Sequence, residues 1–232
     1  MKAVQGRDRP ALDAVLLGAA APVQAKERIL DAGCGSGAVG LCVAARTNSP
    51  NITAIDVAPD AVAEASANIL ANGWQDRFEV RQADLAGYKD RQGFDLVLSN
   101  PPYHDQDSSR SPDEQRERAR FGQLALSAWI GHCLRLCRPR GHLVVILRAD
   151  RIVETVAAMD GIAGDVRILP VHPYAGGPAH RVLIHARKAV RTPARLLGGF
   201  VLHADDRRWT EGARAVLERG AAIDWDRGDA VC

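Results

Sequence analysis

No apolar run in this chain of 232 residues approaches the roughly 18 consecutive residues that a membrane-spanning helix requires. The opening residues, MKAVQGRDRP, are charged and lack the apolar stretch of a secretion signal. Together these absences lead us to expect a cytoplasmic protein with no membrane partner. The pair CxxC is missing too. Five cysteines, Cys34, Cys42, Cys133, Cys137 and Cys232, make an odd count, and none has a His or Cys at zinc-ligand spacing. Free, mostly buried thiols and no metal are the expectation. Lysine is scarce, at 4 residues against 26 arginines. Acidic residues vanish altogether between Val166 and Ala204.

That acid-free stretch says more than the net charge of +2, which alone announces no nucleic-acid partner. A positive strip favours phosphate backbones through counterion release. Arg167, Arg181, Arg187, Lys188 and Arg191 fall within it, and Arg110 sits in an earlier polar loop. These six are candidate RNA contacts. Neither an internal repeat nor a flexible linker interrupts the chain. The simplest organisation is one domain: a helical extension over 1–26, a catalytic core over 27–190 and a small addition over 191–232.

What is present is alternation. Short β-branched runs (RILDAG, NITAID, FEVRQAD, FDLVLSN, HLVVILR, VRILPV, RVLIHARK) are mostly separated by helical segments. That is the pattern of an α/β fold, a mostly parallel sheet covered by helices on both faces. Pro59 sits where a first helical turn tolerates it, and Val62, Ala65 and Ile69 recur on one face until Asn72-Gly73. Leu126, Trp129, Ile130, Cys133, Leu134 and Cys137 follow the spacing of a helix packed on a sheet, stopped by Pro139 and Gly141. The polar stretch from His104 to Arg120 reads as a loop or lid. Near the end, LLGGFVLHADD predicts a strand and WTEGARAVLER a helix.

Two motifs carry chemistry. The first strand runs into LDAGCGSGAVG, whose small residues let the backbone turn tightly and approach a ligand. Asp31, Gly33, Cys34, Gly35 and Gly37 lie in this loop. Asp56 closes the next strand, followed by Val57, where a carboxylate can accept both ribose hydroxyls of an adenosine-containing cofactor. Asp84, ending the third strand, can take an adenine amino group or serve as a solvated turn residue, and Asn100, after the fourth strand, completes a set of nine candidate cofactor contacts with these eight. At this point nicotinamide and S-adenosylmethionine both remain possible.

The second motif, Asn100-Pro101-Pro102-Tyr103, follows the fourth strand at the carboxyl edge where open α/β sheets bind ligands. Its prolines stiffen the backbone. The Asn100 side-chain oxygen and the Pro101 carbonyl can accept the two hydrogens of a planar amine, and Tyr103 can stack on its ring. With a sulfonium methyl as electrophile, the reaction is one in-line displacement that requires no metal.

DAGCGSG resembles motif I of class I S-adenosylmethionine-dependent methyltransferases, and NPPY resembles the motif of those acting on exocyclic or amide nitrogens. The wider pattern resembles the bacterial tRNA adenine-N6 methyltransferases that modify the adenosine beside the anticodon of a valine tRNA. LDAVLLGAA, the NPPY with its following SPD, ILPVHPYAGGPAHRVLIHARK and GFVLHADDRRWTEGARAVLERGA carry that likeness across nearly the whole chain. The chain departs from the pattern at RARFG, Arg118 to Gly122, where such enzymes carry a His-Glu-like pair.

The resemblance implies a Rossmann-like sheet of seven strands with the last antiparallel. It also implies S-adenosylmethionine held by Asp31, Gly33, Gly35, Asp56 and Asp84, a target base handled by Asn100 and Tyr103, and tRNA or another structured RNA as partner. Methylation of guanine N2, DNA adenine or a protein glutamine would use the same corner. A nicotinamide oxidoreductase or a catalytically silent RNA-binding protein are the readings outside this class.

Overall fold

The computed structural model describes residues 12–47, 51–102 and 124–230. The His104–Arg120 loop, Tyr103, Arg110, the Arg118–Gly122 departure and Cys232 lie outside the described residues.

The chain opens with helix α1 (Leu12–Ala20) and strand β1 (Arg28–Ala32). Helix α2 (Ala38–Arg46) and strand β2 (Asn51–Asp56) follow. Helix α3 (Pro59–Asn72) begins on its proline and ends at Gly73, whose left-handed φ of 69° lets its N–H turn back to the Ile69 and Leu70 carbonyls. Next come β3 (Phe78–Gln82), β4 (Phe94–Ser99), α4 (Leu126–Leu136), β5 (Cys137–Arg148) and α5 (Ile152–Met159). The last third supplies β6 (Ala163–Tyr174), β7 (Arg181–Lys188), β8 (Arg195–Leu196), β9 (Phe200–His203), α6 (Glu211–Arg219), β10 (Ile223–Asp224) and β11 (Asp229–Ala230).

The main sheet runs β3-β2-β1-β4-β5-β7-β6-β8, with β9 also on β6. Strands β1 to β5 pair parallel, while β7 is inserted between β5 and β6 and runs antiparallel to both. This is the expected seven-stranded Rossmann-like arrangement with its last strand reversed. The sheet is larger than seven, however. The segment after Pro193 adds β8 and β9, both parallel to β6, so the open edge of β6 is paired rather than exposed.

Alternation along each strand builds two cores. Ile29, Leu96 and Val144 face the layer containing Leu16, Leu17 and Val43, where Phe200, Val216 and Trp225 also pack. Their neighbours Leu30, Val97 and Val145 face Ile130, Cys133 and Leu134 of α4 on the other side. Strand β4 is buried throughout, as a central strand covered on both faces must be. Trp225 is also pinned by its indole, which donates to the Ala20 carbonyl at 2.7 Å and ties the end of the chain to α1.

Helix α4 stops at Leu136, three residues before Pro139, and β5 starts at once with Cys137. Cys133 and Cys137 are both buried within the core, and burial pushes the Cys137 thiol up to about 12. Cys34, Cys42, Cys133 and Cys137 are free thiols. Among the described residues no helix is long and apolar enough to cross a membrane, and no group of three or more His, Cys, Asp or Glu side chains could hold a metal ion.

Candidate active site

The carboxyl ends of β1, β2 and β4 lie side by side because the register aligns Asp31 with Ala54 of β2 and with Leu98 of β4. The glycine loop leaves β1 at this edge. Gly33 and Cys34 both donate backbone N–H groups to the Ile55 carbonyl at 2.9 Å, which folds the loop over β2. Gly33 has a φ of 71°, and a Cβ there would sit 2.9 Å from the Trp129 ring, so the position is fixed by backbone and packing together. Gly35, at φ 52°, has nothing within 4 Å of where its Cβ would be. The loop therefore presents bare backbone to open space, a form suited to close approach by a ligand.

Two carboxylates frame the loop. Asp31 is 1% exposed; its Oδ2 accepts the Gly40 N–H at 3.0 Å, while its Oδ1 is buried with no hydrogen-bond partner among the described residues. Burial pushes this carboxyl up to about 7, the Gly40 N–H bond opposes that shift, and the neighbouring Asp56 charge adds to it. Asp56 is oriented by two backbone donors, Gly35 N–H on Oδ2 at 2.9 Å and Ala58 N–H on Oδ1 at 3.0 Å. Its remaining lone pairs are free to accept hydroxyls.

A cavity of about 260 Å³ opens beside these groups, walled by Gly33, Asp56, Val57, Asp84, Asn100 and Pro102, with Trp129 and Leu85 among the apolar residues closing it. Five of the nine residues expected to hold a cofactor thus meet at one cavity. Asp31, Cys34, Gly35 and Gly37 belong to the strand end and loop beside it. Burial pushes the Cys34 thiol well above the ordinary range, so this residue fits the loop as a small inert side chain. Asp84 also caps its own turn, accepting the Ala86 N–H at 3.0 Å. Pro101 is buried and Pro102 exposed, so the stiff corner turns from core to rim within two residues.

Trp129 is the residue that sequence reasoning assigned only to helix packing. Its Nε1 donates to Ser99 Oγ at 2.9 Å, and Ser99 Oγ in turn donates to the Ala32 carbonyl at 2.7 Å. The indole is therefore a wall of the cavity and a strut between α4, the end of β4 and the start of the glycine loop. Spacing along α4 gives no signal of this role, because the ring meets Gly33 only across the fold.

An adenosine cofactor that carries positive charge fits these acceptors. The buried, unpartnered Asp31 oxygen and the oriented Asp56 carboxylate supply negative charge and hydroxyl acceptors, and the open Gly35 backbone leaves room beside them.

The basic strip looks different in three dimensions. Arg167 bonds Asp165 and Asp226, Arg181 bonds Asp13 at 2.9 Å, and Lys188 donates to the Arg135 and Cys137 carbonyls. The Arg187 Nε is buried with no partner among the described residues. Arg191 is exposed. Asp226 and Asp13, distant in sequence, thus meet Arg167 and Arg181, which a local count leaves unopposed.

Residues 7–116 match the model of the methyltransferase small domain family. A protein of Phocaeicola vulgatus named tRNA1(Val) (adenine(37)-N6)-methyltransferase is 42% identical over 139 residues, covering 60% of this chain and 58% of that protein. One of the same name from Photorhabdus laumondii subsp. laumondii is 31% identical over 216 residues, covering 89% of this chain and 87% of its own length. The crystal structure of a predicted O-methyltransferase from Agrobacterium tumefaciens superposes with a TM-score of 0.75 at 24% identity, covering 90% of this chain and 97% of that one. At that identity the likeness is one of fold.

Proposed function

Since the chain belongs to the family of tRNA1(Val) (adenine(37)-N6)-methyltransferases, we propose that it transfers a methyl group from S-adenosylmethionine to the exocyclic N6 of an adenine in tRNA. The observation that carries this reading is the sharing of one cavity by Asn100, on the rim of β4, with Gly33 and Asp56 of the cofactor cradle.

Bound S-adenosylmethionine supplies a methyl group made electrophilic by its sulfonium. Asp56 holds the ribose hydroxyls, with its carboxylate already aligned by the Gly35 and Ala58 amides. Asp31 faces the positive end of the cofactor, and Asp84 accepts from the adenine amino group.

Asn100 Oδ1 and the Pro101 carbonyl accept the two hydrogens of the target amine. Both bonds draw the nitrogen lone pair out of conjugation with the ring and direct it along the line of displacement. As the nitrogen gains its new bond to carbon, its proton becomes acidic and leaves through one of these acceptors or to water, so no strong base is needed. Pro101, buried, and Pro102 keep the two acceptors from relaxing away. Tyr103 stacks on the target base in this scheme.

The test is direct. Purified protein, radiolabelled S-adenosylmethionine and unmodified tRNA transcripts should yield N6-methyladenosine on nucleoside mass spectrometry. Label that appears only on a protein glutamine, or on guanine, would overturn the substrate assignment.

A further inference from the structure

Three rings form a continuous stack at the same edge of the sheet. Tyr174 ends β6 and His203 ends β9, and the two are Cα partners in the parallel pairing. Their ring centroids lie 5.3 Å apart at 31°, and His203 stacks on Trp209 at 4.3 Å and 18°. Because β6 and β5 are both antiparallel to β7, and β5 is parallel to β4, the ends of β6 and β9 point the same way as the end of β4. Trp209 leans on the apolar core, while Tyr174, at the other end of the stack, is 44% exposed. The register aligns Ser99 with Val145, Val145 with Ile184 and Ile184 with Ile168, which places Tyr174 six residues beyond the level of Ser99. Three strand spacings sideways and six residues along put the stack about 25 Å from the rim of β4.

We propose that this ledge stacks an unpaired base of the RNA substrate, a few nucleotides from the target adenine, with Tyr174 as the contacting ring. The inference rests on the tRNA reading above. Four observations favour a base as the occupant.

The ledge is held in place before binding. Its hairpin is closed by Gly177 N–H to the Tyr174 carbonyl and His180 N–H to the Val171 carbonyl, at 3.3 and 3.0 Å. The turn between His203 and Trp209 is closed by Ala204 N–H to the Arg208 carbonyl at 2.9 Å, and the two residues form an antiparallel bridge. A ring fixed in this way loses little conformational freedom on binding.

The ledge carries no charge excess, since Asp205 and Asp206 stand beside Arg207 and Arg208 in the same exposed turn. A phosphate would gain little there, whereas every base offers a face for stacking.

The patch is also small. Tyr174 is the one large apolar side chain exposed at this end of β6 among the described residues, far short of the roughly 1,000 Å² that a stable protein interface buries. One exposed ring offers a face on which one base can stack.

Finally, His203 meets Tyr174 and Trp209 through its ring, while its Nδ1 is buried with no partner among the described residues.

Binding of an unmodified tRNA transcript, followed by fluorescence anisotropy at two salt concentrations, tests the ledge with Tyr174→Phe, Tyr174→Leu and Tyr174→Ala. Affinity should fall roughly five- to a hundredfold for Ala and Leu and stay near wild type for Phe. The salt slope and calorimetric affinity for S-adenosylhomocysteine should not change. Wild-type tRNA affinity in the Ala and Leu variants overturns the proposal, as does a loss accompanied by a flatter salt slope, which would mean a phosphate contact. Unchanged RNA binding with lost self-association in sedimentation would make the ledge a protein interface and overturn it equally. Failure of the wild-type protein to bind or methylate tRNA would instead sink the substrate reading on which the ledge depends.

Discussion

Trp129 Nε1 donates to Ser99 Oγ at 2.9 Å, and this one bond joins the helix behind the cavity to the strand that carries the Asn-Pro-Pro corner. Ser99 is fully buried and passes the link on to the Ala32 carbonyl, one residue before Gly33. Cofactor loop and substrate corner are therefore not independent loops. Each is braced through the same hydroxyl, so their separation is set by the core rather than by their own flexibility.

Replacing Trp129 separates the two roles of that residue. Trp129→Phe keeps a ring against Gly33 but leaves the Ser99 hydroxyl without the indole donor, and should cost about 1 kcal/mol in chemical denaturation. Trp129→Ala removes the wall as well. It should cost about 2–3 kcal/mol and weaken S-adenosylhomocysteine at least tenfold in calorimetry. Gly33→Ala attacks the same contact from the other side, forcing a Cβ within 2.9 Å of the ring at φ 71°, and should destabilise by about 1–3 kcal/mol. Equal cofactor affinity in Trp129→Ala and wild type would show that the indole is packing alone.

Asn100→Ala should separate chemistry from binding. The change removes the acceptor for the target amine, so kcat should drop by about a hundredfold to a thousandfold, with S-adenosylhomocysteine affinity within a few-fold of wild type. Turnover that survives the change, or a matching collapse of cofactor affinity, would remove Asn100 from the role given to it.

The sheet was legible in the sequence where each strand alternates or is uniformly apolar. FDLVLS reads as a central strand and is buried at every position; RVLIHARK matches β7 residue for residue. Strand β8 gave no such signal, because Arg195 and Leu196 are both exposed and two residues cannot establish a period. Pro139 and Gly141 read as helix stops, yet β5 already begins at Cys137 and absorbs both at a register shift opposite Phe94 and Leu96. Trp129 hid in the apolar stripe of α4, where a wall residue and a core residue have the same spacing. The partners of the basic strip were invisible for a different reason: Asp13 stands 168 residues from Arg181, and Asp226 stands 59 from Arg167. Charge counted along a window does not register pairing across the fold.

The pH dependence of the ligand-free protein should carry the mark of Asp31. Its carboxyl titrates near 7 when folded against 3.8 as a free side chain, so between those values the native state holds the extra proton and stability falls as pH rises. Asp31→Asn should therefore be stabilised relative to wild type at pH 8 and nearly level with it at pH 4. The gap approaches roughly 4 kcal/mol if the full shift is expressed. Binding a cation reverses the preference by favouring the ionised form. S-adenosylmethionine affinity should consequently rise about tenfold from pH 6 to pH 8 in wild type, following the ionised fraction, and stay flat in Asp31→Asn. A flat wild-type profile in calorimetry would show that Asp31 does not face the cofactor's charge.

Arg181 and Arg191 both belong to the acid-free stretch, but the fold gives them different tasks. The Arg181 guanidinium, 35% exposed, bonds Asp13 at 2.9 Å, where the carboxylate is 12% exposed, and so ties β7 to α1. Arg181→Ser deprives a largely buried carboxylate of this cation and should cost about 1–2 kcal/mol, discounted for the solvent that reaches the arginine. Its effect on RNA binding would then come mixed with a loss of stability. Arg191 is exposed in the segment after β7 and can meet phosphate without leaving any such debt. Arg191→Ser should leave the melting temperature unchanged, weaken tRNA binding modestly at low salt, and reduce the slope of log affinity against log salt by about 0.7–0.9, the release of one counterion. If the slope is unchanged in Arg191→Ser while Arg181→Ser melts as wild type, the assignments are reversed, and phosphate is drawn to β7 rather than to the segment that follows it.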